Sequence, residues 1–153
     1  MAGSEIKPIR VGMLQDMGFP GFTAILHDGA VLAFEEALAD GVIDRPFEFV
    51  IRQPEGLPAG SIRDVIDAVK DLEQAGVLAI FGPVATENAL GIRHYIENVA
   101  RIPSVAIVGT DQWPGEYCFA LTPGSMPEEP VVMAAWRWFS SARAIPSLPP
   151  MRR

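Results

Sequence analysis

The 153-residue chain has a single cysteine, Cys118. One thiol cannot build an intramolecular disulfide framework, and it leaves no cysteine-based zinc site. Basic residues are also scarce: 12 Lys and Arg stand against 19 Asp and Glu, a formal net charge of −7. That balance argues against a nucleic-acid groove, which needs clustered Lys and Arg to meet phosphates. No apolar stretch approaches the ~20 residues of a membrane helix. Met1 to Pro8 is polar and lacks the apolar middle region of a signal peptide. As written, the chain is expected to be soluble and to start in the cytosol.

Familiar catalytic patterns are missing as well. There is no His-Glu-x-x-His, no Gly-x-Ser-x-Gly elbow and no Gly-Lys-Ser/Thr phosphate loop, and Gly18 and Gly21 lack dinucleotide spacing. His27 and His94 fall on predicted helices without a motif and read as surface residues. The paired acids Glu35-Glu36 and Glu128-Glu129 read as solvated helix faces. Met13 and Cys118 read as core packing. The expectation is therefore no enzyme, no cofactor and no metal.

What is present is globular: 49% hydrophobic and 20% charged residues, enough for one domain with a sizeable core. Ile9–Leu14 is a short apolar strand, bounded by Pro8 and by the loop signals Gly18, Pro20 and Gly21. A helix follows from about Thr23 to Asp40, with Leu26, Ala30, Ala33, Phe34, Ala37 and Leu38 at helical spacing and Gly41 as its cap. Phe47–Ile51 is the second strand, and Pro54, Gly56, Pro58 and Gly60 break the chain after it. Ser61 reads as an N-cap with Asp64 in the first turn, and Ile62, Val65, Ile66, Val69 and Leu72 form the buried stripe of a second helix, ended by Gly76.

Val77–Phe81 is continuously apolar, as for a strand buried on both faces. Gly82-Pro83 ends it. A third helix starts near Thr86, with Ala89, Ile92, Ile96 and Val99 on one side. Ser104–Val108 and Tyr117–Leu121 are the last strands, and Glu128 to about Phe139 is a fourth helix. Strands alternating with helices imply right-handed crossovers. The fold class is α/β, an open, mostly parallel sheet with helices on both faces. A receiver-like signalling domain shares this alternation, but it would place an acid where Gly82-Pro83 stands.

Such a sheet keeps its working loops beyond the carboxyl ends of its strands. Three loops qualify: Gln15–Phe22, Gly82–Asn88 and Gly109–Gly115. The second leads into a helix N-terminus, whose free N–H groups and partial positive charge suit an anion. Thr86 there is either a plain N-cap or a ligand-facing hydroxyl.

Four segments, IKPIRVGMLQDMG, AVLAFEEALADGVIDRPFEFVIRQPEG, VIDAVKDLEQAGVLAIFGPVATENALGIRHYIENVARIPSVAIVGT and YCFALTPGSMPEEPVVMAAW, resemble in order one family. It is the type I periplasmic binding proteins, in particular the leucine/isoleucine/valine-binding branch of ABC-transporter substrate-binding proteins. The resemblance implies a first lobe over residues 6–139 and a ligand held against it, an amino acid or analogue. It places Thr86, Ala85, Gly109 and Thr110 at that ligand. Asp111 is a candidate partner for a ligand cation or a solvated loop acid. Phe19 and Trp113 are candidate cleft walls or packing aromatics. The family's implied partner is an ABC permease, its usual location periplasmic or cell-surface.

The sequence departs from the family where a second lobe would begin. All 19 acids lie at or before Glu129, and the run from Ser140, SSARAIPSLPPMRR, has no acid and three prolines. Residues 140–153 therefore read as an aberrant tail and the second lobe as absent, which implies a truncated component or a non-functional remnant. A cytosolic small-molecule sensor of the amide-sensing regulator type is the alternative. An exposed half-domain surface also raises self-association.

Overall fold

The computed structural model describes residues 7–18, 20–121 and 129–142. In chain order the elements are β1 (Ile9–Leu14), α1 (Pro20–Ala39), β2 (Phe47–Arg52), α2 (Ile62–Gln74), β3 (Ala79–Phe81) and α3 (Thr86–Tyr95). A π turn (Ile96–Ala100), β4 (Ser104–Ala106), β5 (Cys118–Ala120) and α4 (Glu129–Ala142) follow. All five strands form one parallel sheet in the order β2-β1-β3-β4-β5. The α/β doubly wound expectation holds. The chain steps outward from β1 to β2 and then returns across β1 to β3, so the order reverses between β1 and β3.

The core lies on the face covered by α2 and α3. Val65, Val69 and Leu72 of α2 and Ala89, Ile92 and Ile96 at and beyond α3 are buried, together with Leu14, Ile80, Ala106 and Val108 from the sheet side. Each Val, Leu or Ile side chain removed from water in this way contributes about 1.5–3 kcal/mol, and each Ala less. The helix signals read from the sequence act as expected at α2. Ser61 Oγ accepts from the Asp64 N–H at 3.2 Å, and Gly76 takes φ +71° past the end. Helix α1 starts at Pro20, earlier than Thr23, because proline has no N–H to leave unpaired in a first turn.

Three expectations are corrected. The run Val77–Phe81 is not buried on both faces: its strand shrinks to Ala79–Phe81, and Leu78 is 66% exposed. Ala79 and Phe81 are only half-buried on the opposite face, where α1 packs toward β2, Phe34 meets Phe47 and Phe49 at ring distances of 5.1 and 5.4 Å, and an open apolar groove remains. His27 is likewise not simply on the surface, since its ring stands edge-on to Phe49 at 5.8 Å. Val99 falls off the buried stripe, 57% exposed, because the π turn inserts a residue and rotates the helix after Ile96.

The crossover from β4 to β5 has no helix. Trp113, fully buried, fills the space a helix would take, and its indole N–H donates to the Phe119 carbonyl at 3.0 Å. Two side chains from the α3 side hold this connection. Arg93 donates to the carbonyls of Trp113 (3.0 Å) and Pro114 (2.8 Å). Glu97 accepts from the N–H groups of Glu116, Tyr117 and Cys118 at 2.9–3.1 Å. Helix α4 runs to Ala142, past the expected boundary at Ser140, and residues 143–153 lie outside the described residues. Among the described residues no helix is long and apolar enough to cross a membrane.

Candidate ligand-binding cleft

The carboxyl ends of β1, β2 and β3 open onto a cleft of about 600 Å3. Three loops line it: Asp16 to Gly18 after β1, Pro54 to Ala59 after β2, and Val84 to Glu87 after β3. This is the place where the strand order reverses, the position at which doubly wound sheets hold ligands. A smaller recess of about 260 Å3 adjoins it, sharing Met17, Gly18, Pro54 and Glu55 and adding Gln15, Thr23 and Gln53.

The loops are fastened to one another by a buried polar network. Asp16, 4% exposed, directs its carboxylate at the start of α3. Its Oδ1 accepts from the Val84 N–H at 2.7 Å, and Oδ2 accepts from the Ala85 N–H at 3.2 Å and from Asn88 Nδ2 at 2.8 Å. Asn88 is fully buried. Its Oδ1 accepts from the Leu57 N–H at 2.8 Å. One asparagine on α3 thus ties the loop after β1 to the loop after β2. Gly56 is required beside it, because a Cβ there would overlap the Asn88 amide. Gln53 Nε2 donates to Gln15 Oε1 at 2.7 Å and makes a second tie between the same two loops.

The network overturns the simplest expectation for this loop. The N–H groups at the start of α3 do meet a carboxylate, but it belongs to the chain's own Asp16. Thr86 is not the N-cap either: Ala85 holds that position without a side-chain bond, and Thr86 is the first helical residue. The Thr86 hydroxyl accepts from the Gly109 N–H at 3.3 Å, so the loops after β3 and β4 are brought together as expected. The strand ends at Gly82, which takes φ +118° beneath the Leu14 carbonyl, where a side chain has no room.

The expected site residues divide. Ala85 and Thr86 line the cleft, and Gly109 touches it only through Thr86. Thr110 is buried, and its hydroxyl closes a local turn by accepting from the Gln112 N–H at 3.2 Å. Asp111 is exposed and does not line the cleft. Trp113 is a correction: it is a core residue under the β4–β5 crossover and not a cleft wall. Phe19 lies outside the described residues. Three contributors escaped the sequence reading. Asp16 and Asn88 carried no motif. The loop Pro54–Ala59 carried one visible signal, its alternating prolines and glycines, which read only as a break.

No family model matches the sequence, and no curated protein matches it. Among solved structures, an ABC transporter substrate-binding protein from Sphaerobacter thermophilus superposes with a TM-score of 0.58 at 20% identity. The match covers 87% of this chain and 37% of that one. The fold is that of a substrate-binding-protein lobe. At this identity the likeness speaks for the fold alone, and it does not select the leucine/isoleucine/valine branch. The chain spans little more than a third of that protein's length.

Proposed function

We propose that this chain is one wall of a small-molecule binding site, a solute-binding lobe of the kind that serves an ABC importer. The observation that supports this reading is the cleft itself. It sits at the strand-order reversal, its three loops are locked together before any ligand arrives, and its lining mixes apolar surface (Met17, Pro54, Leu57, Val84) with the Thr86 hydroxyl. Ala85 and Thr86 are the proposed ligand contacts, with Gly109 holding the Thr86 hydroxyl in place and Thr110 closing the turn behind it, while Asp111 stays a solvent-facing loop acid. The proposed lobe runs over residues 6–139, with a second wall supplied from outside it and an ABC permease as downstream partner.

A single wall binds weakly. Micromolar affinity needs about 8 kcal/mol and millimolar about 4. One face, leaving half the ligand in water, belongs to the millimolar range. The test is an NMR titration of the 15N-labelled chain with amino acids, small amides and small amines. Shifts confined to residues 15–18, 53–59 and 84–88 support the reading. Shifts elsewhere, or none at millimolar ligand, overturn it.

A further inference from the structure

We infer that the cleft takes its ligand by a positively charged group, such as a primary ammonium on a small apolar body, and not by a carboxylate. This inference rests on the proposal that the cleft is a small-molecule site, and it names the ligand class for that site.

The first ground is the occupied helix start. A ligand carboxylate would have to replace Asp16 at the N–H groups of Val84 and Ala85, yet Asp16 is 4% exposed and is also bonded by Asn88. An added anion would meet a fixed negative charge at the place where the helix otherwise attracts one.

The second ground is the charge of the walls. Asp16, Glu55 and Glu87 line the cleft, from three different loops, and no Lys, Arg or His is among its described lining residues. Glu55 and Glu87 are exposed, so their carboxylates face water and remain available to an incoming cation. The third ground is the rest of the lining. Met17, Pro54, Leu57, Pro58 and Val84 give a ligand's apolar body something to lie against. An acid-walled, apolar-floored cleft favours an organic amine over both a carboxylate and a bare metal ion, which would need several converging oxygens. Among the described residues no three His, Cys, Asp or Glu side chains gather to hold a metal.

The test uses three ligands with the same branched apolar body: isoamylamine, isovalerate and isovaleramide. Each is titrated into the 15N-labelled chain at low salt and followed by amide shifts. The expected result is that the amine moves the cleft amides and binds at least about tenfold tighter than the carboxylate. A Glu55→Gln, Glu87→Gln double variant, altered only at exposed positions, is expected to stay folded with a Tm within about 4 °C of wild type and to lose about tenfold in amine affinity. Added salt should weaken the amine in the wild type more than in the variant. Isovalerate binding in the cleft as tightly as the amine, or tighter, overturns this inference and leaves the binding site standing. Amine affinity that the double variant does not change also overturns it. If none of the three moves the cleft amides, the binding site and its ligand class fall together.

Discussion

Replacing Asp16 by asparagine changes no shape and tests the fastening of the cleft directly. The carboxylate serves three donors with two oxygens: Val84 N–H at 2.7 Å, Ala85 N–H at 3.2 Å and Asn88 Nδ2 at 2.8 Å. An amide keeps one oxygen, which suits Val84. Its NH2 then faces the Ala85 N–H and the Asn88 NH2, donor against donor. Asn88 cannot turn over to help, because its oxygen is committed to the Leu57 N–H at 2.8 Å. The buried Asn88 amide and the half-buried Ala85 N–H lose their acceptor at up to roughly 1–3 kcal/mol each, and a favourable charge at a helix start is removed, typically 0.3–1 kcal/mol. The expected loss is roughly 3 kcal/mol. At this chain length that lowers Tm by about 6–12 °C. Urea unfolding followed by far-UV circular dichroism reads it as a lower midpoint at unchanged slope. Glu87→Gln is the control, an exposed acid in the same first turn that makes no such bonds, expected to cost under about 1 kcal/mol. A loss below about 0.5 kcal/mol for Asp16→Asn, the range of ordinary surface changes, would refute the reasoning. So would a Glu87→Gln loss of equal size.

Gly82→Ala should cost about 3 kcal/mol in the same assay, since it combines a strained backbone at φ +118° with a Cβ driven against the Leu14 carbonyl; a neutral effect contradicts the geometry. Glu97 gives a pH signature. Burial alone would raise its pKa, but the bonds it accepts from Cys118, Tyr117 and Glu116 outweigh that and hold it below the usual 4.5. Its stabilisation is therefore complete above about pH 4.5 and is lost as pH falls through the lower folded value. Glu97→Gln should flatten this acid limb of stability against pH, and an unchanged limb would show that the clasp carries none of it. Cys118 has its thiol pushed up to about 12, by burial first and then by the Glu97 carboxylate. At pH 8 the native chain should react with iodoacetamide roughly a thousandfold more slowly than the urea-unfolded chain. Equal rates would place Cys118 at the surface.

Much of the architecture was legible because apolar spacing and chain breakers dictate it. β1 appears with its expected bounds, and α2 with its Ser61 cap and Gly76 stop. The failures have physical causes. Val77–Phe81 reads as doubly buried because apolar runs do not say how far a helix on the far face extends. Val99 reads as buried because a π turn leaves no trace in a 3.6-residue count. For the cleft, the loops after β1 and β3 were legible from topology, and the meeting of Thr86 with Gly109 followed from the family resemblance. Asp16 and Asn88 were not, because their roles depend on residues 68 to 72 positions away in the chain. Trp113 was misplaced because a large aromatic in a loop has the same sequence signature whether it walls a cleft or fills a core.

The buried pair Asp16–Asn88 separates two jobs that many binding sites give to the same side chains. Rigidity of the rim is settled when the chain folds, so a guest meets a finished surface and little loop entropy opposes its capture. The residues proposed to face the guest, Glu55, Thr86 and Glu87, are outside that pair. Their identities can change, and with them the taste of the site, while the scaffold beneath stays intact.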